Sequence, residues 1–185
     1  MAYSSIAQAG FLLIGVVCFS NQGIQFMLFY SCIYLLANMT VFICLQVFET
    51  HGVGSIQSFS GWGKSHTMIS IVLLLGFISL AGIPPTAGFT AKLFIFTSLW
   101  SAYEQSENNI LVWVLILGLL NTVISIFYYL KIPYYAFLKT SDSIQSAKKA
   151  QVENYLALIL VVLILFLFIR PDLLMGWLNR INFVL

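Results

Sequence analysis

Gly82-Ile83-Pro84-Pro85-Thr86-Ala87-Gly88-Phe89-Thr90-Ala91-Lys92 sets a double proline and a lysine inside a run that otherwise reads as membrane-spanning. Neither proline can donate a backbone hydrogen bond, so the carbonyls of Leu80 and Ala81 lose their helical partners and the rings clash with them. Gly82 and Gly88 let the backbone leave helical geometry on either side. A continuous helix over 67–100 would extend about 50 Å, well beyond a hydrocarbon core of roughly 30 Å. The segment therefore breaks at Pro84-Pro85, between halves of comparable length. Unpaired backbone is not tolerated against lipid, so the break is expected to face protein or a wet cavity. Left against lipid, it would cost several kcal/mol per unsatisfied group, and the chain is expected not to be stable alone.

Composition points the same way. The chain is 61% hydrophobic and 8% charged, its mean hydropathy is +0.98, and a soluble domain carries roughly 25% charged residues. The expected fold is an all-α membrane protein, one transmembrane domain over 1–185. About five transmembrane helices are read, at 4–20, 24–48, 67–100, 110–138 and 155–169, the third one broken. The residues after Ile169 suit either an interfacial helix or the end of the fifth span. Cys18, Cys32 and Cys44 lie in apolar surroundings without Cys-x-x-Cys spacing, and read as small buried hydrophobes. No basic stripe or aromatic platform points to nucleic acid. The N-terminus lacks the basic flank and small-residue site of a cleavable signal, so the first segment is expected to stay.

Loop charges give an orientation. Connections 49–66 and 139–154 carry Lys64, Lys139, Lys148 and Lys149, with Lys131 near the same end, whereas 21–23 and 101–109 have no lysine or arginine. The positive-inside rule places the first set in the cytoplasm or its equivalent, with the N-terminus inside and the C-terminus outside.

Lys92 is the principal candidate for chemistry. A lysine near the bilayer centre costs about 3 kcal/mol on insertion scales and marks an ion or substrate pathway by default. Either interface is about 12 Å away along a helix, beyond comfortable snorkelling reach. Kept from water, an amine can gain and lose a proton, and so serve as one station of a relay. The acidic residues Glu49, Glu104, Glu107, Asp142, Glu153 and Asp172 all fall in loops or at segment ends. The partner of Lys92 is therefore expected to be water, a polar side chain or a residue of another polypeptide. Ser79, Thr86 and Thr90 are the polar groups placed to line a wet cavity beside it. Lys131, before Pro133, reads first as a snorkelling residue and second as a place where protons are taken up or released. His51 and His66 read as interfacial.

The stretch Leu80-Ala81-Gly82-Ile83-Pro84-Pro85-Thr86-Ala87-Gly88-Phe89-Thr90-Ala91-Lys92-Leu93-Phe94-Ile95-Phe96 resembles the broken helix of the antiporter-like subunits of respiratory complex I. The pattern looks most like subunit N, the counterpart of mitochondrial NADH dehydrogenase subunit 2. Ala2-Tyr3-Ser4-Ser5-Ile6-Ala7-Gln8-Ala9-Gly10 is similar to the start of that family's tenth helix, and Ile126-Phe127-Tyr128-Tyr129-Leu130-Lys131 to part of its thirteenth. The resemblance covers the whole chain but only helices ten to fourteen of about fourteen. It implies a fragment, a split-gene product or a truncated gene model, with the N-terminal half of the same subunit and other membrane-arm subunits as partners in a bacterial inner or organellar inner membrane. It also implies proton movement past Lys92, driven by NADH, FMN, iron–sulfur and quinone chemistry held in other subunits. Gln8 departs from the family's usual histidine, and glutamine does not titrate. Two other readings stay open: part of a multisubunit cation/proton antiporter, and a structural helical piece in which Lys92 is incidental.

Overall fold

The computed structural model describes residues 2–18, 20–140 and 151–181. Lys148, Lys149 and Asp142, used above for orientation and charge pairing, lie outside them. The described residues fold into helices: α1 (Ala2–Val17), α2 (Asn21–Thr50), the short α3 (Trp62–Ser65), α4 (Thr67–Ala81), α5 (Ala87–Ser106), α6 (Asn109–Leu138), α7 (Gln151–Ile169) and α8 (Pro171–Leu178), with a single 3-10 turn at Gln57–Phe59. Asn21–Thr50, Asn109–Leu138 and Val152–Ile169 are each long and apolar enough to cross a membrane. α1 is a shorter apolar helix, and α4 and α5 are the two pieces of the broken one. The protein is an all-helical integral membrane protein.

Local chemistry sets the ends. Ser20 caps α2 by accepting from the Gly23 N–H at 3.0 Å, and Asn108 caps α6 by accepting from Ile110 N–H at 3.1 Å, each satisfying a donor the first turn leaves free. Several boundaries differ from the sequence expectation. α5 does not end at Trp100 but runs to Ser106, so Glu104 is helical and only Glu107-Asn108 separates α5 from α6. The 49–66 connection contains the 3-10 turn and α3, whose Trp62 is buried and lies edge-on to Phe48. The residues beyond Ile169, for which the sequence left a separate helix or the end of the fifth span open, form a separate helix, started by Pro171 at its first position after a non-helical Arg170, which pairs with Asp172 at 3.0 Å.

α2 lies at the centre, in contact with α1, α4, α5 and α7. Its buried stripe includes Phe29, Ile33, Ala37, Val41 and Cys44. α5 turns Ala87, Gly88, Ala91, Ile95 and Leu99 inward. The small residues at its start allow a close approach between helices, as apolar solvent on the outside requires. α6 buries only Tyr129, Pro133 and Ala136 and exposes Leu117, Leu120, Ile124 and Phe127. Cys18 and Cys44 are buried and Cys32 half-buried, all as free thiols.

Candidate functional site

The site begins with the four carbonyls that end α4. Gly82 adopts φ +79°, a conformation costly for any residue with a side chain. Its N–H reaches Ser79 O at 3.0 Å, and the Ile83 N–H reaches Ile78 O at 3.1 Å, the paired bonds of a Schellman ending. That leaves Leu80 O and Ala81 O, the two carbonyls whose helical donors would have been Pro84 and Pro85. Lys92 supplies both, its Nζ donating to Ala81 O at 2.8 Å and to Leu80 O at 3.2 Å.

Sequence reading expected water, a polar side chain or a residue of another polypeptide beside Lys92; within this chain its amine is held by the backbone carbonyls of its own broken helix. The two freed carbonyls are hydrogen-bonded inside the chain rather than left unpaired. A cation at the C-terminal end of a helix also gains from the aligned peptide dipoles of α4. Lys92 is only 3% exposed, and its ammonium lies 4.8 Å from the centre of the Phe11 ring, over whose face a cation is attracted.

Close approach makes this possible. A Cβ on Gly88 would sit 1.8 Å from Ser79 O, and one on Gly82 would sit 2.6 Å from Lys92 Cδ. Gly88 must be glycine for the start of α5 to lie against the backbone at the end of α4, and at Gly82 the positive φ favours glycine. Pro84 and Pro85 form the exposed tip of the turn, and Thr86 behind them is fully buried.

Gln8 of α1 joins the same carbonyl: its Nε2 donates to Leu80 O at 3.2 Å and to the Tyr129 hydroxyl at 3.0 Å. Its Oε1 accepts from the Tyr30 hydroxyl, and Tyr129 is in turn hydrogen-bonded to Ser4 Oγ. Four helices thus meet at one glutamine. A cavity of ≈ 10 Å³, about the space one water centre needs, lies between Gln8, Tyr30, Tyr34, Ser79 and Lys92. Ser79 Oγ is buried there without a protein partner.

Among the sequence candidates, Ser79 lines this cavity together with Lys92. Thr86 is turned away and donates to Ile83 O at 2.8 Å, and Thr90 is buried on α5 outside the cavity lining. Lys131 is exposed on α6 and borders a different cavity of ≈ 310 Å³, shared with Ser4, Tyr128 and Tyr129. His66 stacks obliquely on Trp62 at 4.6 Å, and burial, with His51 nearby, holds it below the ordinary imidazole range. Sequence reading missed Tyr30 and Tyr129 as site residues. The available signal was position: Tyr30 lies well inside α2, not at its end.

Fold and site together define a class, the helical membrane proteins built around a discontinuous helix that holds an ionisable group at the break. Within it, the chain belongs to the family described as NADH:quinone oxidoreductase/Mrp antiporter, TM, whose model matches residues 1–125. It is similar to NADH-quinone oxidoreductase subunit N of Pelagibacter ubique, 38% identical over all of this chain and 38% of that protein. It is also similar to subunit N of Moorella thermoacetica, 35% identical over 91% of this chain and 34% of that protein. The chain thus spans little more than a third of the length of these relatives. Among solved structures, it matches a chain of the Mrp complex from Dietzia at TM-score 0.77, with 20% identity over 94% of this chain and 40% of that one. A chain of respiratory complex I from Thermus thermophilus matches at TM-score 0.70, with 24% identity over 95% and 38%. At those identities, the two structures speak to the fold.

Proposed function

We propose that this chain is a proton-translocating portion of the membrane arm of an NADH:quinone oxidoreductase, with Lys92 as a proton station on its transport axis. The observation that carries this reading is the Lys92 amine, buried in a membrane helix and bound to Leu80 O and Ala81 O. The broken helix supplies acceptors on one side of the amine and, on another, a small cavity of ≈ 10 Å³ beside the unpartnered Ser79 Oγ. An amine so placed can hold a proton against the dipole of α4 and release it toward the cavity at its side. Lys131 is a secondary candidate on the pathway, at the mouth of the Tyr129 cavity.

In this reading NADH oxidation and quinone reduction belong to partner subunits, which hold the FMN, iron–sulfur and quinone sites. The partners are other membrane-arm subunits and the N-terminal part of the same subunit. The membrane is a bacterial inner membrane, or an organellar inner membrane, with the N-terminus inside and the C-terminus outside. A second reading, a portion of a cation/proton antiporter, draws support from the likeness to the Mrp complex. Co-purification with quinone-reductase subunits favours the first, and sodium-linked transport without them the second.

The test is Lys92→Ala in membranes that contain the assembled complex. NADH-driven proton pumping is expected to fall at least tenfold while the complex stays assembled. Unchanged pumping in an assembled complex would reduce this piece to a structural role.

A further inference from the structure

The polar groups around α1 fall into two compartments that meet at one residue, and we propose that Gln8 is the barrier that stops protons crossing between them. The inference rests on the reading of Lys92 as a proton station. On one side is the cavity of Lys92, Ser79, Tyr30 and Tyr34. On the other, Ser4 and Tyr129 border cavities of ≈ 140 and ≈ 310 Å³, the first also lined by Asn121 and Ser125, the second reaching Lys131. The side chain of Gln8 bonds to both compartments.

A proton moves along a hydrogen-bonded chain only where each member accepts a hydrogen on one side and gives one on the other. Gln8 does not meet that condition. Leu80 O can only accept, so the amide atom 3.2 Å from it is the nitrogen, which fixes the orientation of the whole amide. The nitrogen's other hydrogen goes to the Tyr129 hydroxyl at 3.0 Å. Toward Tyr129 the amide only donates. Toward Tyr30 its Oε1 only accepts. A proton passing from Tyr30 to Tyr129 would form an O–H bond at Oε1 while an N–H bond breaks at Nε2, leaving an imidic acid in place of the amide. A neutral side-chain amide does not sustain that exchange near pH 7. Leu80 O, which joins Lys92 to Gln8, carries no hydrogen to give. The two donors that share it, Lys92 Nζ and Gln8 Nε2, converge on one acceptor, and the chain ends there.

The barrier is built with care for its own polar atoms: both amide hydrogens and the carbonyl oxygen are engaged, in a side chain 2% exposed. Its consequence is that Lys92 exchanges protons through the Tyr30, Tyr34 and Ser79 side. Tyr34 extends this route, donating to Ser5 Oγ at 3.3 Å and accepting from Asn38 Nδ2 at 3.4 Å. The cavity beside Lys131 stops at Tyr129.

The test uses the assembled complex in sealed vesicles, without NADH, and reads the decay of an imposed pH gradient. Gln8→Glu and Gln8→His each replace the amide with a group that both takes up and releases a proton. Either assembled variant is expected to leak protons at least threefold faster than wild type. Adding Tyr129→Phe, which removes the hydroxyl on the far side, is expected to return the leak to the wild-type rate. Wild-type decay in either assembled single variant, or a leak indifferent to Tyr129→Phe, would overturn the proposal. Pumping by Lys92→Ala is measured in parallel. Pumping retained there counts against the proton-station reading, whereas the leak decides the role of Gln8 by itself.

Discussion

Two places in this molecule put proline and lysine close together, and they have opposite outcomes. At Pro84-Pro85 the helix ends, the chain turns, and Lys92 is drawn inward onto the freed carbonyls. At Pro133 the helix continues through α6, and Lys131, two residues earlier, stays exposed. A single proline removes one donor, here the partner of Tyr129 O, and a long helix held by its neighbours tolerates that loss. Two consecutive prolines remove two donors and add two clashes, and Gly82 at φ +79° completes the turn. Only the second arrangement creates a pair of acceptors close enough together to hold one ammonium. The lesson is that the lysine and the break form one unit, and a lysine near a proline is not such a unit by itself.

The strongest way to break this contrast is Gly88→Ala. Its Cβ would meet the Ser79 carbonyl at 1.8 Å, a backbone contact that neither helix can relieve by a rotamer change. The expected loss exceeds about 4 kcal/mol, read as failure to recover folded protein in detergent or in the assembled complex. Recovery at wild-type level would show that α4 and α5 can separate without harm.

A smaller effect is expected from Lys92→Met, which keeps the volume and removes the donor. Leu80 O retains Gln8, whereas Ala81 O loses its side-chain partner, so about 1–3 kcal/mol should be lost in denaturation of the purified complex. Lys131→Met sharpens the comparison from the other side. An exposed lysine removed from α6 should change stability by less than about 0.5 kcal/mol in the same measurement. Equal losses for the two variants would mean that the carbonyl pair contributes nothing particular to the fold.

Much of the fold was legible because its determinants are local. Hydropathy over some twenty residues marks a span, and the loss of two donors at Pro84 and Pro85 marks the break through the fixed four-residue reach of the helical hydrogen bond. The ends of elements were less legible. Ser101 to Ser106 read as loop because of its polar residues, yet it continues α5. Helix propagation adds a hydrogen bond per residue, and nothing stops it before Glu107 takes the left-handed conformation. α3 was also missed, because four residues leave no periodicity to read. Its place depends on Trp62 packing against Phe48, which no local pattern announces.

The sequence by itself determined that this is a helical membrane protein, that its third apolar segment breaks at Pro84-Pro85, that Leu80 and Ala81 lose their donors there, and which family its motifs match. Only the tertiary structure decided what those carbonyls bind and what surrounds Lys92. Gln8 lies 72 residues from Leu80, 22 from Tyr30 and 121 from Tyr129, and contacts of that range come from packing α1, α2, α4 and α6 together. Helical periodicity says which groups a segment leaves unsatisfied. Which distant side chain satisfies them depends on how the helices are arranged, and a buried polar group, with no water to turn to, must find its partner in that arrangement.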